Sequence, residues 1–423
     1  MGLEERVAMM PDWQIQTLAD VCQIKPPKRE AREALEPNSL VSFLPMGDLG
    51  IAQKHAHPTQ AKPLAKVAGS YTYFAEGDVL LAKITPCFEN GKLGIATGLK
   101  NGIGFGSSEY IVFRPCDSLD AEWLYYFLSQ AAFRVEGAAR MSGAVGHKRV
   151  TKAFIAEHPI PVPPLPEQKR IVAILDEAFA AIGAATANAE KNLANARELF
   201  EAHVNGFFAK NAFSQRGKLA DFVEGILTGP FGSVLHKSDY VENEIPVVNP
   251  VNIVGTSILP DARKTVSTTT RMQLNAYTLR DGDVVIARRG EIGRCAVVSK
   301  HQDGWLCGTG CFVIRPSPKT VPEFLCHLLR SQPYRETLER QSGRATMPSL
   351  SNKQLAKLPI GLPAVPQQEK AISIFNALWQ ETERLAQVYE RKRSFITELR
   401  QSILQKAFAG ELTATAVEEE ITV

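Results

Sequence analysis

Two stretches of the chain, residues 167–210 and 367–423, contain no proline and place apolar residues at spacings of three and four. In the first, Ile171, Leu175, Ala178, Ile182, Ala185, Ala189, Leu193, Ala196, Phe200, Val204 and Phe207 keep this rhythm. In the second, Ile372, Phe375, Trp379, Leu385, Tyr389, Ile396, Leu399, Ile403 and Ala407 keep it. The pattern predicts two helices of about 40 residues, roughly 60 Å each at 1.5 Å per residue. The small residues Ala178, Ala185 and Ala189 would let a partner helix come close. Prolines precede both stretches: Pro159, Pro161, Pro163, Pro164 and Pro166 in one, Pro359, Pro363 and Pro366 in the other. Proline is tolerated at the first helical position, and Glu167 suits the positive helix N-terminus. Elsewhere, short β-branched runs bounded by Gly or Pro, at 78–83, 110–113, 284–288 and 311–315, predict strands. Short amphipathic helices are predicted at 121–132 and 321–331.

These elements repeat. Leu18-Ala19-Asp20-Val21 returns as Leu219-Ala220-Asp221-Phe222, and Glu76-Gly77-Asp78-Val79 as Asp281-Gly282-Asp283-Val284. Val112-Phe113-Arg114-Pro115 returns as Val313-Ile314-Arg315-Pro316, Ser142-Gly143 as Ser342-Gly343, and Pro166-Glu167-Gln168 as Pro366-Gln367-Gln368. Glu198-Leu199 and Phe208-Ala209 return as Glu398-Leu399 and Phe408-Ala409. Matches in one order at nearly one offset mark an internal duplication. The predicted fold is α+β: β-rich modules at 1–160 and 213–360, long helices at 161–212 and 361–415, and a tail at 416–423. The helices either lie on their own modules or pair with each other. The second arrangement, an antiparallel coiled coil, makes the chain pseudo-two-fold, and a helix that outgrows its module favours it.

Composition narrows the class. Hydrophobic residues are 44% and charged residues 22% of 423, enough for ordinary cores. No long apolar run stands out, so no membrane span is expected, and Met1-Gly2-Leu3-Glu4-Glu5-Arg6 does not open like a signal peptide. Seven cysteines without a Cys-x-x-Cys suit reduced thiols and a cytoplasmic location. The net charge is only +3, so any nucleic-acid surface must be local.

A search for catalytic chemistry finds little. Gly102-Ile103-Gly104-Phe105-Gly106 leads into a predicted strand, as does Gly308-Thr309-Gly310, whereas a cofactor loop should open a helix. Asn249-Pro250-Val251-Asn252 lacks the aromatic that a methyltransferase loop would stack on a flipped base. No P-loop pattern occurs. His55-Ala56-His57 and Cys307/Cys311 lack a second pair at zinc spacing, and Cys295, Cys307 and Cys311 suit apolar packing. No cofactor or metal is expected on this chain.

Basic stretches are more informative. Residues 137–156 hold no acid but include Arg140, His147, Lys148, Arg149 and Lys152; residues 340–368 hold none but include Arg340, Arg344, Lys353 and Lys357. They occupy equivalent places in the repeat. A third cluster is Arg288-Arg289-Gly290-Glu291-Ile292-Gly293-Arg294. Such charges suit phosphates, and arginine also reads guanine edges; a solvated loop is the plainer alternative.

The chain resembles the specificity subunit of a Type I restriction–modification system along nearly its whole length. Pro163-Pro164-Leu165-Pro166-Glu167-Gln168 opening a long helix, its weaker copy at 362–368, Gly229-Pro230-Phe231-Gly232-Ser233, Gly282-Asp283-Val284-Val285-Ile286-Ala287-Arg288 and, in the first half, residues 83–92 carry the likeness. The resemblance implies two target-recognition domains, each reading half of a bipartite asymmetric site in double-stranded DNA. It implies helices that space these domains and dock two modification subunits, which use S-adenosylmethionine to methylate adenine N6. Restriction subunits using ATP and Mg2+ join them, while this chain is non-catalytic and binds no membrane. On this view Lys83, Lys92, Arg140, Lys148, Arg149, Lys152, Arg288, Arg289, Arg294, Arg344 and Lys353 are candidates for DNA contact. Glu167, Gln168, Ile171, Leu175, Ile182, Gln368, Ile372, Phe375, Trp379 and Leu399 are candidates for partner docking on the helices. The second entry motif, Pro366-Gln367-Gln368-Glu369, departs from the family's usual pattern, which leaves the equivalence of the two docking surfaces open. A methylation-only or Type IIB-like system is one alternative, and a protein-bridging adaptor that binds no DNA is another.

Overall fold

A computed structural model of the chain describes residues 13–144, 146–210, 213–230, 234–342 and 349–413. Arg344, Gly343, the 231–233 part of the glycine-rich motif and the predicted tail lie outside them. The chain forms two compact units, one of Met1–Ala189 with Arg391–Val423 and the other of Glu190–Glu390. The fold is α+β, and the two long helices, Leu165–Lys210 and Val365–Phe408, each contribute to both units.

In the first unit a five-stranded sheet runs in the order Cys22–Ile24, Tyr110–Pro115, Val79–Ala82, Leu93–Ala96, His55–Ala56. A four-stranded sheet, Gln60–Pro63, Leu40–Leu44, Ile103–Gly106, Thr72–Ala75, accompanies it. The second unit repeats the scheme, with Val223–Thr228, Cys311–Pro316, Val284–Ala287, Cys295–Val297 in one sheet. The predicted strands are present within a residue or two. The Gly-Asp motif explains one of them physically. Gly77 and Gly282 both have φ near +83°, which a side chain disfavours. The following aspartate is buried and caps the turn: Asp78 Oδ2 accepts from Ala75 N at 2.7 Å, and Asp283 Oδ2 from Arg280 N at 2.9 Å. Arg114 donates two 2.8 Å hydrogen bonds to Asp78, tying this turn to the neighbouring strand, and Arg315 lies 3.5 Å from Asp283.

The predicted helix after each sheet is Ala121–Leu128, followed by Ala131–Ala139, in the first unit and Pro322–Arg330 in the second. In each unit this helix packs between sheet and long helix. The first core joins Trp123, Leu124 and Phe133 to Ile171 and Leu175. It also takes in Leu404 and Phe408 from the second long helix, and Arg400 lies over Phe179. The second core joins Phe324, Leu328 and Leu329 to Val204, Phe208, Ile372 and Phe375, with Phe200 against Trp379 at 5.1 Å. Within each unit, then, segments of the two long helices run antiparallel along an apolar seam.

The helices are 46 and 44 residues long, close to the expected length of about 40, and the proline-rich approach joins the first turn directly. Of the expected close-approach positions Ala189 is buried and Ala178 half-buried, but Ala185 is exposed and does not serve as one: a period of 3.6 drifts off a strict seam. Leu165–Lys210 is long and apolar enough to cross a membrane by length and composition alone, but its Ile171, Leu175, Val204 and Phe208 are buried in the cores, and the expectation of no membrane span is not contradicted.

Candidate nucleic-acid interface

The duplication extends to individual hydrogen bonds around the basic loops. In the first unit, the strand that ends at Ala82 continues through Lys83, whose N–H donates to Glu109 O at 2.9 Å and whose carbonyl accepts from Val150 N at 3.0 Å. In the second, Arg288 N donates to Gly310 O at 2.9 Å and Arg288 O accepts from Leu350 N at 2.9 Å. Residues Ile84 and Arg149 form an isolated bridge, and so do Arg289 and Ser349. Arg149 N donates to Ser142 O at 2.8 Å, and Ser349 N to Ser342 O at 3.4 Å. The same frame therefore holds both ends of each acid-free loop against the end of the same strand. It brings Lys83 together with Lys148 and Arg149, and Arg288 and Arg289 together with the end of the second loop.

Lack of acid in the sequence is not lack of acid in space. Glu109, 40 residues away, accepts from Arg149 Nε and Nη2 at 2.9 and 2.8 Å. This bond, ahead of the Coulomb attraction of Lys83 and Arg149, holds the Glu109 carboxyl below its ordinary range. Arg140 pairs with Glu136 at 2.8 Å and Arg294 with Glu291. Arg294 also donates to Pro250 O. Lys92 donates to the carbonyls of Met46 and Gly47 at 2.7 and 3.2 Å, so it braces a loop. Arg288 lies over the Phe312 ring at 5.4 Å, and its partial burial lowers its pKa, as does Arg289. Lys148, Lys152, Arg289 and Lys353 are exposed and make no ion pair among the described residues. They remain the uncommitted cations of the predicted set.

Sequence reasoning missed Glu109, Lys25 and Lys28. The run Lys25-Pro26-Pro27-Lys28-Arg29 was a readable signal for the two lysines. Glu109 carried no signal, since nothing local marks it as the partner of Arg149.

The helix positions separate into two kinds. Gln168 and Gln368 are both 0% exposed. Gln168 Nε2 donates to Ser118 O and Pro163 O at 2.8 and 2.7 Å, and its Oε1 accepts from Asp120 N at 2.8 Å. Gln368 repeats all three, to Lys319 O, Pro363 O and from Val321 N, at 2.9, 2.8 and 2.8 Å. Each glutamine fastens the first turn of a long helix to the start of the short helix of its own unit. Ile171, Leu175, Ile372 and Phe375 are likewise buried in their own cores. These six residues therefore offer no surface to a partner. Glu167, half-buried and 4.0 Å from Arg170, Ile182, half-buried, Trp379, 44% exposed, and Leu399, 51% exposed, do present surface. The exchange of Glu167 for Gln367 leaves the glutamine anchor intact in both halves.

A family profile described as Type I restriction modification DNA specificity domain matches residues 10–192 and 205–390. Over 171 residues, 40% of this chain, the sequence is 39% identical to the specificity subunit of the Type I restriction enzyme EcoAI of Escherichia coli. It is 37% identical to that of EcoEI, also of Escherichia coli, over the same length. The matched stretch is 28% of the length of each of these relatives. Among solved structures, a chain described under the complex assembly and conformational transition of the type I R-M system has a TM-score of 0.76 at 19% identity, covering 95% of this chain and 98% of that one. The HsdS subunit from Thermoanaerobacter tengcongensis has a TM-score of 0.60 at 17% identity, with the same coverage. At these identities the two structures speak for the fold alone.

Proposed function

The chain belongs to the family of Type I restriction modification DNA specificity proteins, and from that premise we propose that its two units each read one half of a bipartite, asymmetric site in double-stranded DNA. The observation that carries this is the repeated frame around the basic loops, Val150 N to Lys83 O in one unit and Leu350 N to Arg288 O in the other. Two similar frames on one chain suit two separate stretches of one duplex, each held through phosphates and read through base edges. In this reading Lys148, Lys152, Arg289 and Lys353 are the first candidates for phosphate contact. Arg149 and Arg294, already ion-paired, enter only if DNA displaces Glu109 or Glu291.

The chain acts without catalysis of its own. The exposed flanks of the long helices, around Trp379 and Leu399, dock two modification subunits that bind S-adenosylmethionine and methylate adenine N6. Restriction subunits, with ATP and Mg2+, complete the assembly. A methylation-only assembly differs by lacking those last subunits. The test is to exchange residues 219–357 for the equivalent part of a relative, assemble the chain with its modification subunits, and sequence the methylated sites. One half-site should change and the other should stay. A change in both, or methyl transfer by this chain with no partner present, overturns the reading.

A further inference from the structure

The two units share a frame but differ at one place beside it, and the difference opens a cleft in the first. There Ile24 is the last residue of its strand and pairs with Phe113. Lys25 still donates its N–H to Val112 O at 2.7 Å, but its φ is +60°. That left-handed conformation, unusual for a residue with a side chain, turns the chain away from the sheet. The flank of Ile111 is left uncovered. In the second unit the equivalent strand runs two residues further, pairing Leu227 with Val313 and Thr228 with Phe312, the counterpart of Ile111. Asn352, the counterpart of Lys152, then ties that strand down by donating to Ile226 O at 2.8 Å. Arg288 lies over the Phe312 ring.

The cleft has a volume of about 590 Å³, within the usual range for small-ligand sites. Its floor is apolar, with Ile24, Ile111, Val150 and Ile155, and Tyr71 and Tyr73 line it as well. Four lysines reach it, Lys25, Lys28, Lys83 and Lys152, and no acidic residue among the described ones lines it. Lys28 and Lys83 each donate to a carbonyl, Gly69 O and Ser108 O, both at 2.8 Å. Those bonds aim the ammonium groups without neutralising them. Glu109, the acid nearest Lys83 at 3.9 Å, is held by Arg149. Burial lowers the pKa of both Lys28 and Lys83 and neighbouring cations push the same way, while at Lys83 the attraction of Glu109 works against them. A concave surface with a surplus of positive charge and a low-dielectric floor is stabilised by an anion that supplies both charge and an apolar body.

We propose that this cleft binds the phosphate of a nucleotide unit, with Lys25 and Lys152 gripping it at the mouth and the sugar lying against the apolar floor. The phosphate comes from the DNA backbone or from a free nucleotide; the first source rests on the DNA reading above and the second does not. The experiment compares the wild-type chain, Lys25→Gln/Lys152→Gln, and a charge-matched control, Lys66→Gln/Lys100→Gln, whose lysines lie outside the cleft. Affinity for two unrelated labelled duplexes is measured against salt, and binding of radiolabelled ATP by equilibrium dialysis. If DNA is the source, the cleft variant lowers the log–log salt slope by about one unit relative to the control, with the same loss for both duplexes. If a free nucleotide is the source, the slope is unchanged but ATP binding seen in the wild type is lost in the cleft variant alone. An unchanged slope together with unchanged or absent ATP binding overturns the proposal. Failure of the wild type to bind either duplex sinks the DNA reading instead, and the ATP arm then decides the cleft.

Discussion

Replacing Gln168 by alanine removes three hydrogen bonds from a side chain with no exposed surface. At about 1 kcal/mol net for each, the loss comes to about 3 kcal/mol. The Pro163 carbonyl is left buried without its donor, which prevents the cost from falling much below this. In a unit of this size about 3 kcal/mol corresponds to a fall in melting temperature of roughly 6–12 °C. Gln168→Met separates the causes, since it keeps most of the volume and removes the hydrogen bonds; it should recover only the packing part. Gln368→Ala should cost the second unit a similar amount, because its three bonds have the same partners by position and nearly the same lengths. Native-state hydrogen exchange is the suitable assay, following amides of Ala121–Leu128 for Gln168 and of Pro322–Arg330 for Gln368. Losses below about 0.5 kcal/mol in both units would refute the anchoring argument, because a buried side chain with three partners is never that dispensable. A full-sized effect in one unit only would refute the equivalence of the two halves.

Asp78→Asn should cost the first unit about 3 kcal/mol in chemical denaturation, since it strips a buried, doubly bonded charge from Arg114; Asp283→Asn, with a looser 3.5 Å contact and a carboxyl that burial holds above its ordinary range, should cost clearly less. Burial beside Phe200 and Phe375, with a smaller push from Arg330, lowers His327 to about 4. Its folded pKa lies below the unfolded 6.5, so the unfolded state takes up the proton first and stability falls as pH drops through that window. The second unit should lose about 2 kcal/mol between pH 7 and pH 5, and His327→Leu should remove that component of the pH dependence in hydrogen exchange. Lys148→Ala should weaken binding to unrelated duplexes equally and reduce the salt slope by about one unit, as anisotropy titrations at several salt concentrations will report; a loss confined to one duplex would mean that Lys148 reads a base.

The duplication, the strands and the two long helices were legible in the sequence because each rests on a local or periodic signal. Gly77-Asp78 and Gly282-Asp283 mark turns through backbone conformation, and apolar spacing marks the helices through their 3.6-residue period. The roles of charged and polar side chains were another matter, since those depend on what approaches from far along the chain. Arg149 sits in a stretch without acid, yet Glu109 pairs with it from the turn before a strand 40 residues away. Gln168 and Gln368 stand beside charged residues in a motif suited to a surface, but the chain folds back and buries them, because a long helix must fix its first turn to the module it leaves. Lys25 follows a strand that its counterpart in the second unit prolongs, and only the sheet register exposes the resulting cleft. Periodicity survives in one dimension; pairing of charges, burial of polar groups and the opening of a cleft are set by contacts between distant segments, and only the tertiary structure decides them.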